Sequence, residues 1–216
     1  MQALSLDATW AEAWAERGFR WRVLLTVPML VATLFALAAV VKWVERRPGA
    51  ILPDPVLAWL APRDVTWPVF TLIYVGILLA LFLLARTPVR LVIGVQAYVV
   101  MALLRIVVMW ATPLDPPPGM IILEDPLVQL FGGASQALTR DLFFSGHTST
   151  MFLLFLAVPG RPAKAYFLAS TVAVACLVLV QHVHYAVDVL AAPAFAYAAW
   201  RIAGMGWGFP VTIRRP

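Results

Sequence analysis

The segment WPVFTLIYVGILLALFLLA, residues 67–85, contains no charged residue. A helix needs about 20 mostly apolar residues to cross the hydrocarbon core of a bilayer. Two more runs, 23–41 and 91–110, meet this requirement, although Arg105 interrupts the second. Three further apolar runs follow, at 146–158, 165–180 and 185–202. The sequence therefore predicts an all-α integral membrane protein with six transmembrane helices. Because the fourth run is short, we expect its helix to begin before the apolar residues.

The composition excludes the other broad classes of protein. Hydrophobic residues make up 62% of the 216 positions and charged residues 12%, about half the charged share of a soluble domain. The single cysteine, Cys176, cannot build a disulfide framework or a thiolate zinc site. The net charge of +5 is spread over short segments between the apolar runs. Because it forms no basic stripe, we expect no nucleic-acid partner.

The residues ahead of the first run predict a short amphipathic helix on the membrane surface. Trp10, Trp14 and Phe19 supply the aromatic side chains that would enter the interface. The chain then divides into an N-terminal interfacial segment, a six-helix membrane domain and a C-terminal tail, at residues 1–22, 23–203 and 204–216.

The distribution of Lys and Arg predicts the orientation. Cytoplasmic loops carry an excess of these residues. With both termini in the cytoplasm, ten of them lie inside, namely Arg17, Arg20, Arg22, Arg86, Arg90, Arg161, Lys164, Arg201, Arg214 and Arg215. Five lie outside, namely Lys42, Arg46, Arg47, Arg63 and Arg140. This topology brings His147, His184 and Asp188 to a similar depth on the outer side.

His184 and Asp188 are four residues apart, so on a helix their side chains would meet on one face. A carboxylate on one imidazole nitrogen fixes the tautomer and raises the basicity of the other nitrogen. Such a histidine can act as a nucleophile or a general base. The alternative is a polar pair that bridges two helices. Ionisable groups inside membrane segments are costly and usually functional, which favours the first interpretation.

His147 lies in a second motif, Ser145-Gly146-His147-Thr148, at the start of the fourth apolar run. Glycine would let a ligand approach the backbone closely. Free amides at a helix N-terminus favour an anion such as phosphate. An alternative role for Ser145 is the helix N-cap.

Together these motifs resemble a known family. DLFFSGHT at 141–148 and HVHYAVD at 182–188 are similar to the two histidine motifs of the type 2 phosphatidate phosphatase superfamily, which comprises lipid phosphatases and phosphotransferases. The closer likeness is to the sphingomyelin synthase branch, although Leu142 stands where that branch has an aromatic residue. The resemblance spans about residues 105–202.

The resemblance implies a role for each residue of the motifs. His184 would attack phosphorus and form a phosphohistidine, and Asp188 would orient it. His147 would protonate the departing alkoxide and then deprotonate the incoming hydroxyl. This chemistry requires no metal and no cofactor. Substrate or phosphate contacts are assigned to Arg105, Arg140, Asp141, Ser145, Gly146 and Tyr185.

One departure from the family concerns arginine. The phosphatase members carry an arginine six residues before the second histidine, where this chain has Val178. Arg105 and Arg140 are the substitutes that the chain offers, although Arg105 could instead snorkel to the interface and Arg140 could be a solvated loop charge. The missing arginine makes a plain phosphatase a weaker interpretation.

Acidic residues near the motifs have two interpretations each. Asp141 supports a histidine or binds the acceptor hydroxyl, or else it is a cap or loop charge. Glu124 and Asp125 either border the site or are solvated. We interpret His182 as an auxiliary residue rather than a catalyst.

We therefore expect an enzyme that moves a phospho-headgroup from a glycerophospholipid to a lipid hydroxyl such as ceramide or diacylglycerol. The alternatives are a lipid phosphate phosphatase that uses water, and a non-enzymatic transporter or scaffold. The expected partners are the phospholipid donor, the lipid acceptor and the membrane, and a homo-oligomer is compatible with the sequence. The compact loops favour a bacterial inner membrane, with the site facing the periplasm.

Overall fold

The computed structural model describes residues 4–125 and 138–205, and this part of the chain contains eight helices and no β-strand. They are α1 (Trp10–Ala15), α2 (Arg17–Val44), α3 (Pro55–Trp59), α4 (Thr66–Leu84), α5 (Pro88–Ala111), α6 (Gly146–Ala157), α7 (Arg161–Val180) and α8 (Ala186–Gly204). From residue 206 onward the expected C-terminal tail lies outside the described residues.

Five of the described helices, α2, α4, α5, α7 and α8, are long and apolar enough to cross a membrane. The helix α6 has 12 residues and a length of about 18 Å, against a hydrocarbon core of about 30 Å. Our expectation that this helix begins earlier is wrong. It begins at Gly146 because the Ser145 hydroxyl accepts a hydrogen bond from the Thr148 N–H at 3.4 Å, which makes Ser145 the N-cap.

Helix α5 lies at the centre of the bundle, between α2 and α8, and α6 packs against α7 and α8. Small side chains permit the close approach of α8: Ala192, Ala196, Ala199 and Ala203 are each fully buried. Helix α2, in contrast, carries large apolar side chains on the outside of the bundle; Phe35 is 74% exposed. Apolar surface of this kind requires a non-aqueous surrounding.

The N-terminal segment is held against the bundle by two contacts. The Trp10 indole N–H donates to the Ala85 carbonyl at 2.7 Å, and Asp7 pairs with Arg90 at 2.8 Å. Trp10 and Trp14 remain about half exposed, as expected for interfacial residues, whereas Phe19 is 3% exposed. The prediction that Phe19 lies on the membrane surface is therefore wrong. Phe19 belongs to α2, which begins six residues before the apolar run, and packs in the protein core.

These contacts place the N-terminal segment and the α4–α5 turn at one end of the bundle. The Arg22 guanidinium donates to the Ala203 carbonyl at 3.3 Å, so α2 begins where α8 ends. The proline-rich connections lie at the other end, where Ala50 and Leu114 form an isolated parallel bridge and the Ile121 N–H donates to the Gln181 carbonyl. The histidine motifs share that second end.

Candidate active site

His184 and Asp188 are in contact, but for a different reason from the one that their spacing suggests. Helix α8 begins at Ala186, so His184 lies before the helix and the two residues do not share a helix face. Asp188 is in the first turn and reaches back toward the N-cap. Its Oδ2 lies 3.2 Å from His184 Nδ1 and accepts the Tyr185 N–H, also at 3.2 Å. The carboxylate therefore caps the helix and holds the imidazole at once.

This pair is buried. Asp188 is fully buried and His184 is 4% exposed. Asp188 Oδ1 has no hydrogen-bond partner among the described residues. A carboxylate at Nδ1 retains the proton there and leaves Nε2 with a lone pair, which is the form of imidazole that can attack an electrophile.

His147 is the second residue of α6 and faces His184, with ring centroids 6.4 Å apart and planes at 63°. A backbone hydrogen bond from the Ser145 N–H to the Asp188 carbonyl, 3.1 Å, ties the start of α6 to the first turn of α8. The Phe70 ring lies edge-on to His147 at 5.9 Å. His147 Nδ1 is buried without a partner in the described part of the chain. The two histidines thus meet because two helix starts are joined.

Arg105 lies beside this pair and is buried, so it does not snorkel to the interface. Its Nη2 is 2.7 Å from the Asp141 carboxylate and its Nε donates to the same oxygen at 3.1 Å. Nη1 donates to the Phe144 carbonyl at 2.9 Å, and Nη2 to the Asp141 carbonyl at 3.2 Å. Arg105 therefore holds the segment that leads into α6.

Gly146 makes room for that arginine. A Cβ atom at this position would lie 2.2 Å from Arg105 Nη1 and 2.8 Å from Arg105 Cζ, far inside contact distance. We expected glycine here to admit a ligand, whereas in the structure the guanidinium occupies the space.

Asp141 completes the cluster. Burial works against its ionisation, but the adjacent Arg105 guanidinium outweighs that effect and holds the pKa of Asp141 below its ordinary value. Asp141 is therefore a carboxylate at neutral pH, and it is paired with Arg105 rather than acting as a helix cap.

A cavity of about 550 Å³ opens beside His147, between α4, α5 and α6. Arg105, Asp125, Asp141 and His147 line its polar end, and the Tyr74 hydroxyl donates a hydrogen bond to Asp125. Among the described residues His184 is not on the cavity wall, and its ring faces that of His147, which is on the wall. The volume is typical of small-molecule sites, which are mostly apolar with a few convergent polar groups.

The sequence left the role of one wall residue, Asp125, open, and it gave no indication of a second, Tyr74. Asp125 had two interpretations, and the structure places it on the wall, while Glu124 is not among the residues there. Tyr74 lies within a plain apolar run and gave no signal. Its hydrogen-bond partner is 51 positions away, and only the fold joins them.

Three sequence-predicted contact residues are engaged elsewhere in the structure. Arg140 pairs with Asp115 at 2.7 Å and donates to the Glu45 carbonyl at 2.8 Å. The Tyr185 hydroxyl donates to the Asp115 carbonyl at 2.9 Å, and Ser145 caps α6. None of the three lines the cavity among the described residues.

His182 joins two loops. Its Nδ1 lies 3.0 Å from the Pro118 carbonyl oxygen and its Nε2 lies 3.0 Å from the Leu60 carbonyl oxygen. The ring therefore bridges the two connections that cover this end of the bundle.

Within residues 4–125 and 138–205, no three His, Cys, Asp or Glu side chains are grouped as metal ligands. In comparisons with known proteins, no family and no curated protein matches the chain. The chemical argument therefore depends on the site itself.

Proposed function

We propose that this protein is a membrane phosphotransferase of the sphingomyelin synthase type. It moves a phospho-headgroup from a glycerophospholipid to a lipid hydroxyl, such as that of ceramide or diacylglycerol. The observation that carries the proposal is the facing pair of imidazoles, 6.4 Å apart, with Asp188 on the Nδ1 side of His184. This pair also underlies the resemblance of the SGHT and HYAVD motifs to that branch.

In the first half-reaction His184 Nε2 attacks phosphorus, and the bond between phosphorus and the glyceride oxygen breaks. His147 donates a proton to the departing alkoxide. Attack requires a near-attack distance of about 3–3.5 Å between His184 Nε2 and phosphorus, and proton transfer requires a contact of about 2.6–3.2 Å at His147. The reacting phosphate therefore has to lie between the two rings, whose centroids are 6.4 Å apart. The products are a diacylglycerol and a phosphohistidine that carries the headgroup.

In the second half-reaction the acceptor hydroxyl gives its proton to His147 and attacks phosphorus. The bond between phosphorus and His184 breaks, which restores the neutral imidazole. One pair of histidines thus serves both steps, because His147 ends each turnover in the state in which it began. Asp188 keeps the Nδ1 proton of His184 in place throughout.

The charges at the site favour a phosphodiester over a phosphomonoester. Arg105 is the only Lys or Arg among the described residues of the cavity wall, and Asp141 already pairs with it. A monoester carries about 1.5 to 2 negative charges at neutral pH, and a diester carries fewer. The N-terminus of α6 supplies backbone N–H groups and a partial positive charge next to His147, which suits the smaller charge.

A transferase must also keep water from the phosphohistidine. His184 is 4% exposed, and the cavity in front of His147 is lined mainly by apolar side chains from α4 and α5. An acceptor that arrives from the membrane reaches this site more easily than water does, which supports a lipid acceptor.

The proposed enzyme has six membrane helices, with α6 as a short helix that enters from the side of the active site. Both termini are cytoplasmic, with the N-terminal segment at the interface, and the site faces the periplasm of a bacterial inner membrane. In support, Arg86, Arg90, Arg161 and Arg201 lie at the helix ends opposite the histidines. Alkaline phosphatase fusions to the α2–α4 and α4–α5 connections test this, with activity expected only for the first.

The decisive test uses purified protein in mixed micelles, with a phospholipid pool and fluorescent ceramide or diacylglycerol as acceptors. We expect a new fluorescent phospholipid, and we expect its loss in His184→Gln and in His147→Gln. Asp188→Asn should lower turnover by about 100-fold or more, since it releases the orientation and tautomer of the nucleophile His184. His182→Gln is the matched control and should retain turnover.

Two results would contradict the proposal. Full turnover by folded His184→Gln excludes a phosphohistidine. Release of phosphate or headgroup without a new lipid means that water is the acceptor, and the enzyme is then a phosphatase.

A further inference from the structure

The cavity extends far beyond the residues that the proposed chemistry needs. Its wall runs along α4 from Phe70 to Leu84 and along α5 from Arg105 to Leu91. At 1.5 Å per residue each stretch covers about 21 Å. Along α6 the wall continues to Ala157, at the far end of that helix. The cavity is thus a long slot that begins at His147 and runs through the bundle.

The slot has the character of a hydrocarbon site. Beyond its polar end, the side chains on its wall are apolar apart from Tyr98, Ser149 and Thr150. Its length of about 21 Å exceeds the roughly 15 Å of one leaflet, half of the hydrocarbon core. A slot of this length and a volume of about 550 Å³ suit one extended alkyl chain.

We propose that this slot binds the alkyl chain of the acceptor lipid, with the acceptor hydroxyl at His147, and that Gly94 limits the length of the chain. The inference rests on the proposed function, because it names where the acceptor of that reaction binds and what selects it.

The charges at the polar end indicate the acceptor rather than the phospholipid. Two carboxylates, Asp125 and Asp141, share this end with a single guanidinium, that of Arg105. In the proposed reaction the phosphate lies between the two imidazole rings, on the His184 side of His147, whereas on the cavity side it would face both carboxylates. A neutral hydroxyl meets no such repulsion, since it can donate to a carboxylate or to His147.

Gly94 lies on the cavity wall within one helical turn of Leu91, the α5 wall residue farthest from Arg105. A Cβ atom at this position would lie 3.6 Å from the Ala157 Cβ, an ordinary contact, so the backbones of α5 and α6 tolerate a small side chain. A larger side chain would fill the end of the slot. Transfer of an alkyl chain from the bilayer to the slot brings little hydrophobic gain, so selection by length depends on steric fit.

The experiment compares Gly94→Ala and Gly94→Leu with the native protein. Acceptor alcohols of short, medium and long chain are assayed with one fixed phospholipid, and phospholipids of varied chain length are assayed with one fixed acceptor. For Gly94→Leu we expect kcat/KM with the longest acceptor to fall by about 5- to 100-fold relative to the shortest, the range that overpacking by a few methylenes produces. The donor series should not change. Val107→Leu, on the exposed face of the same helix, is the control.

A second readout is independent of turnover. Inactive His184→Gln protein is irradiated with a long-chain diacylglycerol that carries a diazirine at its acyl terminus, and the labelled peptides are identified. We expect labels near Gly94 and Ala157, and fewer of them in a protein that also carries Gly94→Leu. The milder Gly94→Ala variant provides a graded comparison if Gly94→Leu fails to fold.

The outcomes separate the two proposals. An unchanged acceptor profile together with labels outside α5 and α6 overturns the slot assignment and leaves the enzymatic proposal intact. A shift in the donor series alone assigns the slot to the phospholipid and also overturns it. Labels at Gly94 without turnover of any acceptor support the slot and refute the transferase.

Discussion

Replacement of Gly146 by alanine tests how the site is assembled. The new Cβ would lie 2.2 Å from Arg105 Nη1, so the guanidinium must move. It then loses the hydrogen bond to the buried Phe144 carbonyl, and a bond to a charged donor contributes about 1.5–3 kcal/mol. The Asp141 side chain is 31% exposed, so weakening of its ion pair adds about 1 kcal/mol or less.

Alanine recovers about 0.5–1 kcal/mol through its higher helix propensity. The net expectation for Gly146→Ala is a loss of about 2 kcal/mol in the free energy of unfolding, together with reduced turnover. Denaturant unfolding in detergent micelles measures the first quantity. Gly94→Ala is the matched control, because its Cβ meets only the Ala157 Cβ, at 3.6 Å, and it should be neutral or stabilising.

A double-mutant cycle with Arg105→Ala isolates the steric cause. Once the guanidinium is absent, Gly146→Ala should cost less than about 0.5 kcal/mol, since the three atoms nearest to the new Cβ all belong to Arg105. An equal cost in both backgrounds would refute the reasoning, because the strain would then lie in the α6 backbone and not in the contact with Arg105.

Two further predictions concern charged residues around the site. Arg140→Gln should lower the free energy of unfolding by about 1 kcal/mol, because Arg140 binds Asp115 and the Glu45 carbonyl. The KM for the phospholipid should stay unchanged. A marked rise in KM would instead make Arg140 a phosphate ligand. Burial would raise the pKa of Asp141, but Arg105 holds this pKa below its ordinary value. The ion pair between Asp141 and Arg105 therefore stabilises the fold above about pH 4. This stabilisation is lost as the pH falls through the lowered pKa. Asp141→Asn should therefore flatten the acid side of a thermal-stability profile, and a profile as steep as that of the native protein would count against the pair.

The meeting of His147 with His184 could be predicted from the sequence, because the order of the apolar runs indicates which helix ends lie on the same side. The start of α6 could not. An apolar run shows which residues prefer lipid, but the helix begins where the Ser145 cap satisfies the first amides.

Other features depend on tertiary contacts that leave no local pattern. Phe19 is an aromatic residue ahead of an apolar run in either case, and only tertiary contacts, including those with Trp10 and Trp14, bury it. The bond between Tyr74 and Asp125 joins α4 to a distant loop. Gly146 looked like a position for a ligand because sequence cannot reveal that a neighbouring arginine fills the same space.

The contacts of the N-terminal segment also bear on how the chain is built during translation. Asp7 and Arg90 are 83 positions apart, so at about 5–20 residues per second the ribosome adds Arg90 roughly 4–17 s after Asp7. Helix α2 is synthesised in that interval. It can enter the membrane before the chain contains the α4–α5 turn, to which the N-terminal segment binds. Docking of the segment onto the α4–α5 turn therefore follows the synthesis of two long helices, α2 and α4, and it closes the end of the bundle opposite the histidines.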